Sequence, residues 1–261
     1  MSNTMLIDFE TAVITDHHDA DSATLNYWQD DQWKWLSIYY QDGTLDDRKA
    51  LITADKELAF KINEPAIIDP VWGTRKGRVQ LDVPFEGERL LASKRMIVPS
   101  YMQAFANYTG PNPWFICEEF HIGYPWAGDV YAARISISLV PYQGNLYFAA
   151  TGTYQNPEDR GKWPGTLWTA PIKAISIPLG EWFDLFTSYD SSGQFVLWIR
   201  KQYDDWRNLV GVNGPMSNPN ATEPVQHMKY GACKLYTSGE VIDHSSVGLG
   251  WDNVVIQTDE L

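Results

Sequence analysis

The sequence predicts an all-β fold, a sandwich of two packed antiparallel sheets of the jelly-roll kind, and three observations carry that expectation. Apolar and polar residues alternate over short runs along most of the chain. Clusters of Gly, Pro, Asn and Asp punctuate those runs. The strand–helix alternation that a parallel sheet requires is missing. No repeat, linker or composition break divides the 261 residues, so one domain over 1–261 is expected, with 1–70 its less clearly marked N-terminal part.

Composition supports a large core: aromatics make up 14% of the chain, with 12 Trp, 14 Tyr and 10 Phe. Thirty-three acidic against 20 basic side chains give a formal net charge of -13. A phosphate backbone would be repelled by that excess, which excludes a nucleic-acid partner. The long uncharged stretches 96–117 and 135–157 are broken by Pro, Gly, Asn and Gln, so neither reads as a bilayer span. Residues 1–21 lack the basic and apolar regions of an export signal, a pattern that suits a virion component released by lysis or a chain whose signal has been removed. Cys117 and Cys233 form no metal or redox spacing and read as buried thiols.

Taken in order, the aromatic stretch Tyr27 to Tyr40 places Trp33 and Trp35 on one strand face, where they either pack in the core or stack on sugar rings. The segment Leu45 to Phe60 is expected to form the one short helix, with Leu45, Leu51 and Leu58 on a shared face. Arg78, Gln80 and Asp82 share a face of the next strand, and in 115–123 Cys117, Glu119 and His121 project from one face, Glu118 and Phe120 from the other. A carboxylate and an imidazole two residues apart can enter one cleft together. Tyr131 to Leu139 and Leu146 to Tyr154 read as a hairpin around a Gly144-Asn145 turn, with Arg134, Ser136 and Ser138 on its polar face. A second hairpin is expected at 181–200 around Asp190 to Gly193. Long loops at 155–165 and 211–224 would rim a site, and Trp163 and Trp126 in loops are candidate sugar platforms. In 229–236, Lys229, Gly231 and Cys233 share a face, and Gly231 marks a bulge or a close approach.

Together the stretches Arg78-Val79-Gln80-Leu81, Glu119-Phe120-His121, Gly180-Glu181-Trp182 through Trp198, Lys229 through Cys233 and Trp251 through Ile256 resemble the jelly-roll, concanavalin A-like polysaccharide lyases of the alginate lyase, glucuronan lyase and heparin lyase I kind. The resemblance spans about 73–256 and implies β-elimination at a uronic acid. It implies that His121 is the base and that Arg78 and Lys229 face substrate carboxylates; Trp126, Trp163 and Arg134 are the candidate substrate-binding residues beside them. No cofactor is implied. Glu119 stands where the family has glutamine, and Cys233 where it has the catalytic tyrosine, which Tyr236 or Tyr230 would replace only through a change of register. Two other readings stay open: a non-catalytic glycan-binding or structural module, and a glycoside hydrolase in which Asp82 or Asp129 joins a glutamate. His17 and His18 with Asp16, Asp19 and Asp21 read as a solvated loop rather than a metal site.

Overall fold

A computed structural model describes residues 3–16, 22–41, 48–62, 67–68, 74–86, 89–109, 114–122, 133–154, 165–170, 175–190, 193–202, 204–213, 227–230, 233–238 and 247–259. Its strands, numbered along the chain, form two sheets whose ladders are all antiparallel. The first has eight strands in the order β16 (Arg207–Asn213), β15 (Gln194–Lys201), β14 (Trp182–Asp190), β9 (Arg89–Ile97), β19 (Val247–Asp259), β6 (Leu58–Ile62) and β5 (Arg48–Ile52), with β1 (Asn3–Ile7) also paired to β19. The second has eleven. Its main path is β13 (Gly165–Ala170), β12 (Asn145–Tyr154), β11 (Ala133–Tyr142), β10 (Trp114–Ile122), β17 (His227–Tyr230), β8 (Thr74–Glu86), β4 (Gln32–Gln41), β3 (Ser22–Gln29) and β2 (Val13–Asp16); β18 (Cys233–Ser238) bridges β10 and β8, and β7 (Ile67–Ile68) pairs with β8. The expected jelly-roll sandwich of two antiparallel sheets is therefore the observed architecture.

Period-two alternation builds the core. From the eight-stranded sheet, Leu90, Ala92 and Met96 of β9, Phe183 and Leu185 of β14, Phe195 and Leu197 of β15 and Trp251 of β19 turn inward. From the eleven-stranded sheet come Leu36 and Ile38, Val79 and Leu81, Phe120, Ile135 and Ile137, and Phe148. Across the interface Phe120 meets Phe195 edge-on at 6.0 Å, and Phe148 meets Phe183 at 6.2 Å. Burial of such rings is the main stabilising term of the sandwich. A short 3-10 turn, Ser100–Met102, runs into the four-residue helix α1, Gln103–Ala106, which closes one end with Met102 and Phe105.

Two expectations need correction. Where a helix was expected across 45–60, the described part is a hairpin, with β5 and β6 paired from Arg48↔Ile62 to Ile52↔Leu58. Leu58, Phe60 and Ile62 are buried at period two, and β19 supplies a ladder for them, so tertiary pairing overrides the weak helical spacing. Lys56 takes the left-handed conformation (φ 63°) in the turn, where the Thr53 N–H donates to the Glu57 carbonyl at 2.9 Å. The second correction is a one-residue shift: the turn between β11 and β12 consists of Gln143 and Gly144, both at positive φ, as a tight hairpin turn of the primed kind requires.

Candidate functional site

A single inserted residue sets the orientation of β10. Its pairing with β11 passes from Ile116↔Ser138 to Glu118↔Ile137, leaving Cys117 as the extra residue of a bulge. Phe115 faces the core before the bulge, and Glu118 and Phe120 face it afterwards. Glu119 and His121 consequently turn to the outer face of the eleven-stranded sheet. Cys117 does not join them, contrary to the uninterrupted alternation expected from sequence: it packs in the core, where its thiol donates to the Ile137 carbonyl at 3.2 Å. Burial pushes that thiol well above its ordinary range, which makes it chemically inert.

On the outer face Glu119 is fully buried and lies between two partners. One carboxylate oxygen is 3.2 Å from His121 Nε2, and the other accepts from Arg134 Nη1 at 3.3 Å. The register explains the cluster, since His121 pairs with Arg134 on β11 on one side and with Lys229 on β17 on the other. Ser136, opposite Glu119, and Ser138 are buried on the same face, and their hydroxyls have no hydrogen-bond partner among the described residues. Hydroxyls left in this way are ready to bind a polar ligand or ordered water. On β8, Val79, Leu81 and Val83 face the core, so Arg78, Gln80 and Asp82 face outward, and Gln80 and Asp82 are also buried.

The expected site residues divide accordingly. His121, Glu119, Arg134 and, by register, Lys229 come together. Arg78 does not join them. It lies six positions along β8 from Pro84, the register partner of Lys229, about 20 Å at strand rise. Tyr236 pairs with Trp114, seven positions along β10 from His121, about 23 Å away. Trp126, Trp163, Asp129, His17, His18, Asp19 and Asp21 lie outside the described residues. Among the described residues no cluster of three or more His, Cys, Asp or Glu is placed to hold a metal ion, and no helix is long and apolar enough to cross a membrane.

Glu118 belongs to a different setting. It accepts from Lys94 of β9 in the space between the sheets, which removes it from any catalytic pair with Glu119. Two members of the outer face were not singled out from the sequence as site residues: Ser136 and Ser138 carry no charge and are ordinary strand residues. Their shared parity with Arg134 was the one signal of their position.

No family model matches the sequence, and no curated protein matches it. Among solved structures the chain is similar to a mutant of the alginate lyase Aly36B in complex with alginate trisaccharide, at 12% identity and a TM-score of 0.53, over 98% of this chain and 98% of that one. It is also similar to an immunostimulatory antigen and pseudo beta-1,3-glucanase of Mycobacterium tuberculosis, at 12% identity and a TM-score of 0.51, again over 98% of each chain. At these identities the likeness concerns the fold, and the jelly-roll sandwich described above is the fold to which it points.

Proposed function

We propose that this chain engages a uronic-acid-containing polysaccharide on the outer face of the eleven-stranded sheet, with His121 as the base of a β-elimination. The observation that supports this reading is the cluster of buried Glu119 and His121 with half-buried Arg134 on the face turned away from the core. In such a step the imidazole takes the proton from C5 of the uronate, and the electron pair of that C–H bond becomes the C4–C5 double bond. The C4–O bond breaks, and the leaving oxygen collects a proton from water. Arg134 supplies positive charge beside His121 for the substrate carboxylate, and Lys229, the register partner of His121 on β17, is the second candidate for that role.

A non-catalytic glycan-binding module is the second reading, and the contact between Arg134 and Glu119 favours it, because a guanidinium engaged by a buried carboxylate is less available to neutralise a substrate acid. Incubation with alginate, glucuronan, a heparin-type polymer and a β-1,3-glucan separates the readings. Elimination gives ultraviolet absorbance from the unsaturated product, lost in His121→Ala. Binding without absorbance supports the module. Release of reducing ends without absorbance would instead indicate hydrolysis, with Asp82 and Glu119 standing two strand spacings apart, about 10 Å.

A further inference from the structure

Three exposed tryptophans lie close together on one hairpin. Trp28, Trp33 and Trp35 are 42%, 58% and 67% exposed, whereas Trp251 is wholly buried. They sit together on the hairpin of β3 and β4. Trp28 and Trp33 are direct register partners whose rings meet edge-to-face at 5.4 Å, and Trp35 is opposite Asn26. Parity puts all three on the outer face, because Leu36, Ile38 and Tyr40 turn to the core.

This patch continues the polar face already described. Tyr39 and Ser37 of β4 lie opposite Gln80 and Asp82 of β8, and there the β4–β8 ladder ends at Ser37↔Asp82. β4 runs on beyond that pair, carrying Trp35 and Trp33, so the row from Tyr39 to Trp33 extends about 20 Å along one pleat. The hairpin is held in place: the Trp28 N–H donates to Thr11 Oγ1 at 3.2 Å, and the Gln29 side chain accepts from the Leu6 N–H and donates to the Thr4 carbonyl, both at 3.2 Å. The rings are thus exposed on a tethered surface, so that ordering them costs a ligand little.

We propose that Trp28, Trp33 and Trp35 form an outer glycan subsite that stacks on the C–H faces of pyranose rings in a chain extending from the His121 cluster. The inference rests on the reading of the outer face as a glycan site. Two observations select sugar over other occupants. The aromatic faces are interleaved with hydrogen-bonding groups, Thr24 and Asn26, the latter donating to Thr15 Oγ1 at 3.3 Å, a mixture that suits a hydroxylated ring better than an aliphatic protein surface. The row is also continuous with the face that carries Gln80, Asp82 and Glu119.

The test uses the whole chain and the same polymer panel, with binding read by calorimetry or affinity electrophoresis. The double variant Trp33→Ala/Trp35→Ala should bind long polymer about tenfold more weakly or worse, while its affinity for a trisaccharide and its circular dichroism stay those of the unsubstituted chain. Trp33→Phe/Trp35→Phe should recover most of the loss, since the stacking face is retained. Unchanged polymer affinity in the alanine variant overturns the subsite and leaves the reading of the His121 cluster standing. Polymer binding that survives His121→Ala/Arg134→Ala but not the tryptophan changes supports the subsite and overturns the reading of the His121 cluster. No binding of any polymer by the unsubstituted chain overturns both. A dimer by light scattering that the tryptophan changes dissociate, without an effect on glycan, overturns the subsite in favour of a contact between copies.

Discussion

Lys94 of β9 and Glu118 of β10 join the two sheets by an ion pair inside the sandwich, with both side chains almost wholly removed from solvent. The ammonium nitrogen also lies 4.3 Å from the centroid of the Trp251 ring, and Thr187 donates to the Glu118 carboxylate. A charge withdrawn from water to this depth is tolerated only when it is matched, and here each partner is the other's match.

Removing one member alone should therefore be severe. Lys94→Met or Glu118→Leu is expected to cost about 3–5 kcal/mol in urea unfolding, because it strands the remaining charge. The double variant Lys94→Met/Glu118→Leu should recover most of that loss or exceed the parent. Additive losses in the double variant would show that the two groups do not act as a pair.

A dependence on pH follows from the same pair. Burial raises the Glu118 carboxyl above its ordinary value and lowers the Lys94 ammonium below its own. A carboxyl that holds its proton more tightly when folded loses stabilising effect as pH climbs past about 4.5, whereas an amine that holds its proton less tightly regains it as pH approaches about 10.5. The stability of the double variant relative to the parent should accordingly be greatest in the neutral range and fall toward both extremes. Urea midpoints of the two proteins at acid, neutral and alkaline pH check this, and a constant difference would refute it.

Glu119→Gln is expected to strengthen binding of a uronate polymer. The change removes a negative charge from a cluster that must accept one and releases Arg134 from its carboxylate partner. A gain of about tenfold in affinity for alginate, with little change for a neutral glucan, is the expected calorimetric result.

Gly248 of β19 permits a close approach. A methyl group there would meet the Phe60 carbonyl oxygen at 2.2 Å and the Tyr101 hydroxyl at 2.6 Å. Because the nearer obstacle is backbone, Gly248→Ala should lower stability by about 1–3 kcal/mol in thermal or urea unfolding, whereas Tyr101→Phe in the same background should recover little of it.

Much of this fold was legible in the sequence because burial imposes period two on strands. The hairpins at 133–154 and 182–201 followed from that rule together with their turn residues, and the opposed faces of 118–121 from the rule itself. Cys117 did not, because a bulge inserts one residue without altering composition, and everything before it changes face. The β5–β6 hairpin was hidden because its partner, β19, is almost two hundred residues away, while the local spacing weakly suited a helix. Glu118 could not be recognised as a core residue, since its partner lies 24 residues earlier on the opposite sheet. The exposed tryptophans were ambiguous for a different reason: both faces of β4 are rich in large apolar residues, and only the position of the other sheet shows which is wet.

The place of β19 in its sheet bears on how the molecule is made. It follows β9 by about 150 residues, yet it sits between β9 and β6 and also receives β1, so three ladders converge on it. While the chain emerges from the ribosome, the sheet is split into two parts with exposed apolar edges, and neither can seal until β19 arrives. Pairings as distant as Asn3↔Thr258 close large loops, which makes folding slow. Until β19 docks, the edges of β9, β6 and β1 that it will cover stay open to pairing with other chains.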